Sequence, residues 1–67
     1  MQKFKSGDVV TLTLFEPHII IGEIIKFNYS VNAYEIKVTH DTKYNLTVIM
    51  MQENCLKICP EHLKTFL

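Results

Sequence analysis

Apolar and polar positions alternate through residues 9–15. Val10, Leu12 and Leu14 fall on one face, Thr11 and Thr13 on the other, the two-residue period of a half-buried strand. Glu16-Pro17-His18 ends the run, because proline withholds a ladder donor. Residues 19–27 are apolar on both faces, with Ile20, Gly22 and Ile24 on one and Ile19, Ile21, Ile25 and Phe27 on the other. That pattern fits a long strand bent at its one glycine and shared between two sheets of a small barrel. Residues 28–32 read as a loop. Tyr34, Ile36 and Val38 then alternate with Glu35, Lys37 and Thr39, a second half-buried strand.

Toward the C-terminus, His40-Asp41-Thr42-Lys43 reads as a hairpin into a strand with Tyr44, Leu46, Val48 and Met50 inward and Ile49 and Met51 outward. Gln52-Glu53-Asn54 turns the chain into a short strand that points Leu56 and Ile58 inward. Pro60 suits the first position of a closing helical turn, and Glu61 suits its positive end. Leu63, Phe66 and Leu67 form one stripe able to plug the open end of a barrel. The expectation is one all-β domain spanning residues 1–67, five short strands with a short C-terminal helical turn.

Length limits what this domain can do. At 67 residues it buries about 60% of its unfolded surface, which leaves a marginal core. Its hydrophobic fraction of 48% exceeds what so small an interior can hold. The surplus predicts apolar surface, and self-association or a protein partner as its cover.

Charge narrows the partner class. Seven lysines offset seven acidic residues, and there is no arginine. Without the guanidinium fork that reads guanine edges and clamps phosphates, sequence-specific DNA readout is disfavoured, and neutrality argues against a dedicated polyanion binder. Lysine without arginine, with abundant Ile and Asn, is the product of AT-rich codons and points to a low-GC bacterium or its phages. No signal peptide is visible, and the longest apolar run, residues 48–51, is far short of the ~18 residues a membrane span needs. A cytoplasmic protein with no membrane partner is the expectation.

Three segments carry a resemblance: Lys5-x-Gly7-Asp8-x-Val10, the Gly22-x-Ile24 step, and Glu53-Asn54-x-Leu56-Lys57. Together they resemble SH3-like small β-barrels of the KOW and Tudor kind. The resemblance implies a five-stranded SH3-like barrel and a binding module rather than an enzyme. It also implies that Phe15, Phe27, Tyr29, Tyr34 and Tyr44 are the rings from which a Tudor-like cage would be built.

Candidate chemistry is sparse. Cys55-x-x-x-Cys59-x-x-His62, with His18 or His40, has the ligand types of a zinc site, but one cysteine pair at this spacing reads better as two half-buried thiols in a reducing compartment. A disulfide is no better supported than a metal, since strand residues four apart lie ~13 Å from each other, beyond the ~7 Å that can be bridged. No paired carboxylates, nucleophile context or phosphate loop appears, so neither catalysis nor a cofactor is expected. The candidate binding residues are therefore apolar and aromatic: Phe15, Ile19, Ile21, Ile25, Phe27, Tyr29, Tyr34, Ile49 and Met51. The expected function is a non-catalytic protein-binding module, with a phage or mobile-element modulator of a host protein as its setting. The alternatives are a nucleic-acid-binding domain using Lys3, Lys5, Lys26, Lys37 and Lys43, and an oligomer that sequesters a small ligand between subunits.

Overall fold

The computed structural model describes residues 3–66, with the Phe66 side chain outside the description. Five antiparallel strands form one sheet: β1 (Val9–Leu12), β2 (Ile21–Asn28), β3 (Ala33–His40), β4 (Val48–Met51) and β5 (Leu56–Ile58). Their order is β4-β3-β2-β1-β5, so the last strand returns to pair with the first. Three 3-10 turns, Thr13–Phe15, Glu53–Cys55 and Glu61–Phe66, complete the described elements. The fold is thus all-β, as the alternation predicts. The sheet is not closed, however, since β4 and β5 share no ladder among the described residues.

Local chemistry explains where β1 begins. Gly7 adopts φ +92°, a conformation open to glycine at little cost. Asp8 closes the turn from both directions: its N–H donates to the Lys5 carbonyl at 3.0 Å, and its carboxylate accepts from the Lys5 N–H at 3.0 Å.

The bend in β2 falls where the glycine is. Its pairing with β3 shifts register between Ile21 and Gly22 and again between Ile24 and Lys26. Two such irregularities turn the long strand and raise its twist.

One face of the sheet carries the core. Phe4, Val10, Leu12, Ile20, Ile24, Tyr34, Ile36 and Leu56 pack as one buried cluster, with Phe15, Phe27, Val38, Leu46, Ile49 and Met51 against its rim. Burying one such aliphatic side chain contributes about 1.5–3 kcal/mol, so this cluster is the main favourable term in a domain this small. Tyr34 lies between the rings of Phe4 and Phe27, edge-on to both at centroid separations of 5.5 and 4.9 Å.

Several expected facings are corrected. Leu14 is 65% exposed, because the chain leaves β1 at Leu12 and turns through Thr13–Phe15, which cancels the strand period. Strand β4 is inverted: Ile49 and Met51 pair with Ile36 and Tyr34 and face the core, whereas Val48 and Met50 are 57% and 50% exposed. The cause lies in residues 41–47, which form a loop rather than a strand, with Asn45 at φ +58°. A left-handed residue resets the parity of everything after it. Ile58, opposite Val10 on β5, is exposed, and Cys59, one residue on, is buried instead. The closing turn forms at Glu61–Phe66 with Leu63 half-buried, while the expected roles of the Phe66 side chain and Leu67 lie outside the described residues.

Candidate functional site

Because the strands alternate in direction, the β1–β2 connection and the β3–β4 loop meet at one end of the sheet. The first carries Leu14, Phe15, Pro17, His18 and Ile19; the second carries Lys43 and Tyr44. Tyr44 joins them. Its ring lies 5.1 Å from that of Phe15 and stands edge-on to the His18 imidazole at 5.9 Å. Lys43 Nζ lies 2.9 Å from His18 Nε2 and 5.6 Å from the Tyr44 ring centroid. The two nitrogens are within hydrogen-bond distance, and the imidazole tautomer sets which of them donates.

Asp41 holds the second loop in shape. Its Oδ1 accepts the N–H groups of Lys43 and Tyr44, each at 2.9 Å, and its Oδ2 accepts that of Leu46 at 2.7 Å. The Leu46 N–H first, then those of Tyr44 and Lys43, hold the carboxyl below its ordinary value.

His18 also borders a cleft of about 70 Å³, lined with it by Thr11, Leu12, Glu16, Pro17, Ile19, Ile20, Lys57 and Leu63. At its rim Lys57 Nζ donates to Glu16 Oε2 at 3.4 Å, an exposed pair worth little in stability. Thr11 is 6% exposed, and its Oγ1 is buried without a hydrogen-bond partner among the described residues.

The candidate binding residues divide into several groups. Phe15 and Ile19 belong to this end, Phe15 half-buried against the core and Ile19 exposed. Phe27 and Tyr29 lie at the opposite end beside the β2–β3 turn, their rings 5.0 Å apart. Ile25 is exposed at the second register shift of β2. Ile21 and Tyr34 are corrections, since both are fully buried and present nothing to a partner. Ile21 pairs with buried Thr11 in a strand flanked on both sides, and Tyr34 is enclosed by Phe4 and Phe27. Ile49 and Met51 pack on the core, as the inversion of β4 requires. Among the described residues the ring contacts join Phe15 with Tyr44 at this end, and Phe4, Tyr34, Phe27 and Tyr29 elsewhere.

Tyr44 and His18 join Phe15 at this end although neither is among the candidate binding residues read from the sequence, where Tyr44 is an inward strand residue and a ring of the Tudor-like cage, and His18 a turn histidine or zinc ligand. Thr11 reads from the sequence as a residue of the polar face of β1.

Lys26 lies 3.7 Å from Glu35, Lys57 is held by Glu16 and Lys64 lies 3.4 Å from Glu61. Cys55 is partly buried and Cys59 fully, and both are free thiols. Burial pushes the Cys59 thiol above its ordinary value, against the opposing pull of Lys64. No three His, Cys, Asp or Glu side chains gather as a metal-binding set among the described residues. No helix there is long and apolar enough to cross a membrane. Comparison with protein-family models, curated proteins and solved structures finds no match.

Proposed function

We propose that this protein is a non-catalytic SH3-like binding module that holds another polypeptide at the end of the sheet built by the β1–β2 connection and the β3–β4 loop. The return of β5 to β1 beside a bent β2 supports the SH3-like reading. One observation carries the binding reading: Phe15, His18 and Tyr44 pack into a single aromatic surface, flanked by exposed Leu14 and Ile19. Rings and aliphatic side chains with few charges are the composition of a protein-binding patch.

Self-association has an observation of its own, the outward Val48 and Met50 on β4, a strand paired on one side only among the described residues. One experiment separates the two. Tagged wild type, a Leu14→Asp/Tyr44→Ser double variant and Met50→Lys are used to capture proteins from lysate of a low-GC bacterium, with circular dichroism to verify folding and sedimentation to give subunit number. A defined partner held by wild type and Met50→Lys but lost by the double variant is the expected result. Capture indifferent to Leu14 and Tyr44 refutes the assignment of this end. An oligomer that Met50→Lys dissociates supports self-association instead.

A further inference from the structure

We infer that the outer edge of β4 pairs with the same edge of a second copy of this chain, antiparallel about a two-fold axis at Ile49. The inference rests on the self-association reading above and gives it a geometry; it uses no residue of the aromatic end.

Backbone direction comes first. The Val38 N–H donates to the Thr47 carbonyl at 2.7 Å, and Lys37, Ile36, Glu35 and Tyr34 stand opposite Val48, Ile49, Met50 and Met51 in turn. Bonded and non-bonded pairs alternate along an antiparallel ladder, so Ile49 and Met51 direct their main-chain groups at β3. Those of Val48 and Met50 point the other way, where no strand pairs with them among the described residues. Their side chains are exposed too, on the face away from the core.

The two edges of the sheet differ in protection. Strand β5 spans only Leu56–Ile58, carries Lys57 and is soon followed by Pro60. Shortness, lysine and proline are devices that keep an edge from pairing with another chain. Residues 44–52, which contain β4, have no charge, proline or glycine. One edge is guarded and the other is open.

Symmetry selects the occupant. A two-fold axis sets each residue against one from the same segment, where a charge meets its like; this neutral segment has none to meet. Joining the open edges leaves the guarded β5 edges outermost, which stops assembly at the dimer. With the axis at Ile49, Val48 exchanges both backbone bonds with Met50 of the second copy, and Met50 with its Val48. The side chains of these residues then face each other across the seam as apolar pairs. An axis at Val48 draws in Leu46, outside the strand; one at Met50 draws in Gln52, whose carbonyl already accepts the Cys55 N–H at 3.0 Å.

The test is sedimentation equilibrium of the intact protein, with amide hydrogen exchange at low and high concentration. Expected is a monomer–dimer equilibrium with Kd on the order of micromolar to millimolar, the range of a small interface. As concentration rises, the Val48 and Met50 amides gain more protection than those of Ile49 and Met51, which are bonded to β3 throughout. Val48→Lys and Met50→Glu each weaken the dimer at least about tenfold, by setting a charge against an apolar side chain at the seam. The double variant Val48→Lys/Met50→Glu sets opposite charges across the seam in this register and restores association. Circular dichroism verifies the fold of each variant.

A protein that stays monomeric to about 1 mM overturns the inference and the self-association reading together. An assembly larger than a dimer overturns the two-fold axis. A dimer that keeps its affinity in both single variants, or leaves the Val48 and Met50 amides unprotected, overturns the β4 edge while self-association stands. A dimer that the single variants weaken and the double variant does not restore overturns the axis at Ile49. A captured partner lost by Met50→Glu, from a protein monomeric by itself, assigns the edge to another polypeptide and overturns the second copy.

Discussion

Tyr34 and Glu53 are joined by a hydrogen bond of 3.2 Å from the buried phenol to Glu53 Oε1, which ties β3 to the 3-10 turn that leads into β5. The same phenol oxygen accepts the N–H groups of Lys3 and Phe4 at 3.0 and 3.1 Å, and Glu53 Oε1 also accepts the Lys3 N–H at 2.8 Å. One hydroxyl thus fixes the N-terminal lead-in, which seats Phe4 in the core. Replacing Tyr34 with Phe keeps the ring and leaves the Phe4 N–H without its partner in a buried place. Destabilisation by about 1–3 kcal/mol follows, read as a lower urea midpoint at unchanged slope. Amide hydrogen exchange should lose protection first at Phe4. An unchanged midpoint would show that the phenol does not anchor the lead-in.

Gly22 is closed in by its neighbours in β3. A Cβ at this position collides with Ile36 Cγ2 and comes to 3.1 Å from the Lys37 carbonyl oxygen. Gly22 pairs with Val10 on one side and Val38 on the other, so the backbone has little room to yield. Gly22→Ala should cost about 1–3 kcal/mol by overpacking. Ile36→Leu removes the Cγ2 branch while conserving volume, so Gly22→Ala should cost less in that background than in wild type. Additive losses in the double variant would place the strain elsewhere.

Asp41 gives the β3–β4 loop a pH dependence whose sign is set by its bonds. The Leu46, Tyr44 and Lys43 N–H groups stabilise the charged carboxylate and hold it below the ordinary value of 3.8. A lowered native value means that the contribution to stability is complete above 3.8 and is lost as pH falls through the native value. In an NMR titration the Leu46 and Tyr44 amides should therefore reach the midpoint of their movement below pH 3.8. Asp41→Asn gives up one acceptor oxygen, so it should speed exchange at Leu46 or Tyr44 at neutral pH and remove the acid transition. Amides that shift midway at the ordinary carboxylate value would contradict the bonding described.

The binding proposed for this end of the molecule depends on the same loop, because Asp41 positions the backbone that presents Lys43 and Tyr44. The module reading and the loop chemistry are linked in this way. Loosening the loop separates Tyr44 from Phe15 and His18 without altering any of the three side chains.

What could be read from the sequence was what neighbouring residues decide together. The Gly7-Asp8 turn, the inward Val10 and Leu12, and the inward Tyr34 and Ile36 follow from local backbone preference and a two-residue period that runs without interruption. The bend at Gly22 was legible for a related reason, since a lone glycine in an apolar strand marks a bulge or a close approach, and here it marks both. The facing of β4 was not legible, because counting by twos from Tyr44 assumes an unbroken strand through Asn45, whose left-handed conformation restarts the count. The cleft was further out of reach. Its walls come from β1, the β1–β2 connection, β5 and the last 3-10 turn, which meet only when β5 pairs with β1. An isolated hydroxyl in a string of letters is always assumed to find water; whether Thr11 does depends on what the fold sets over it.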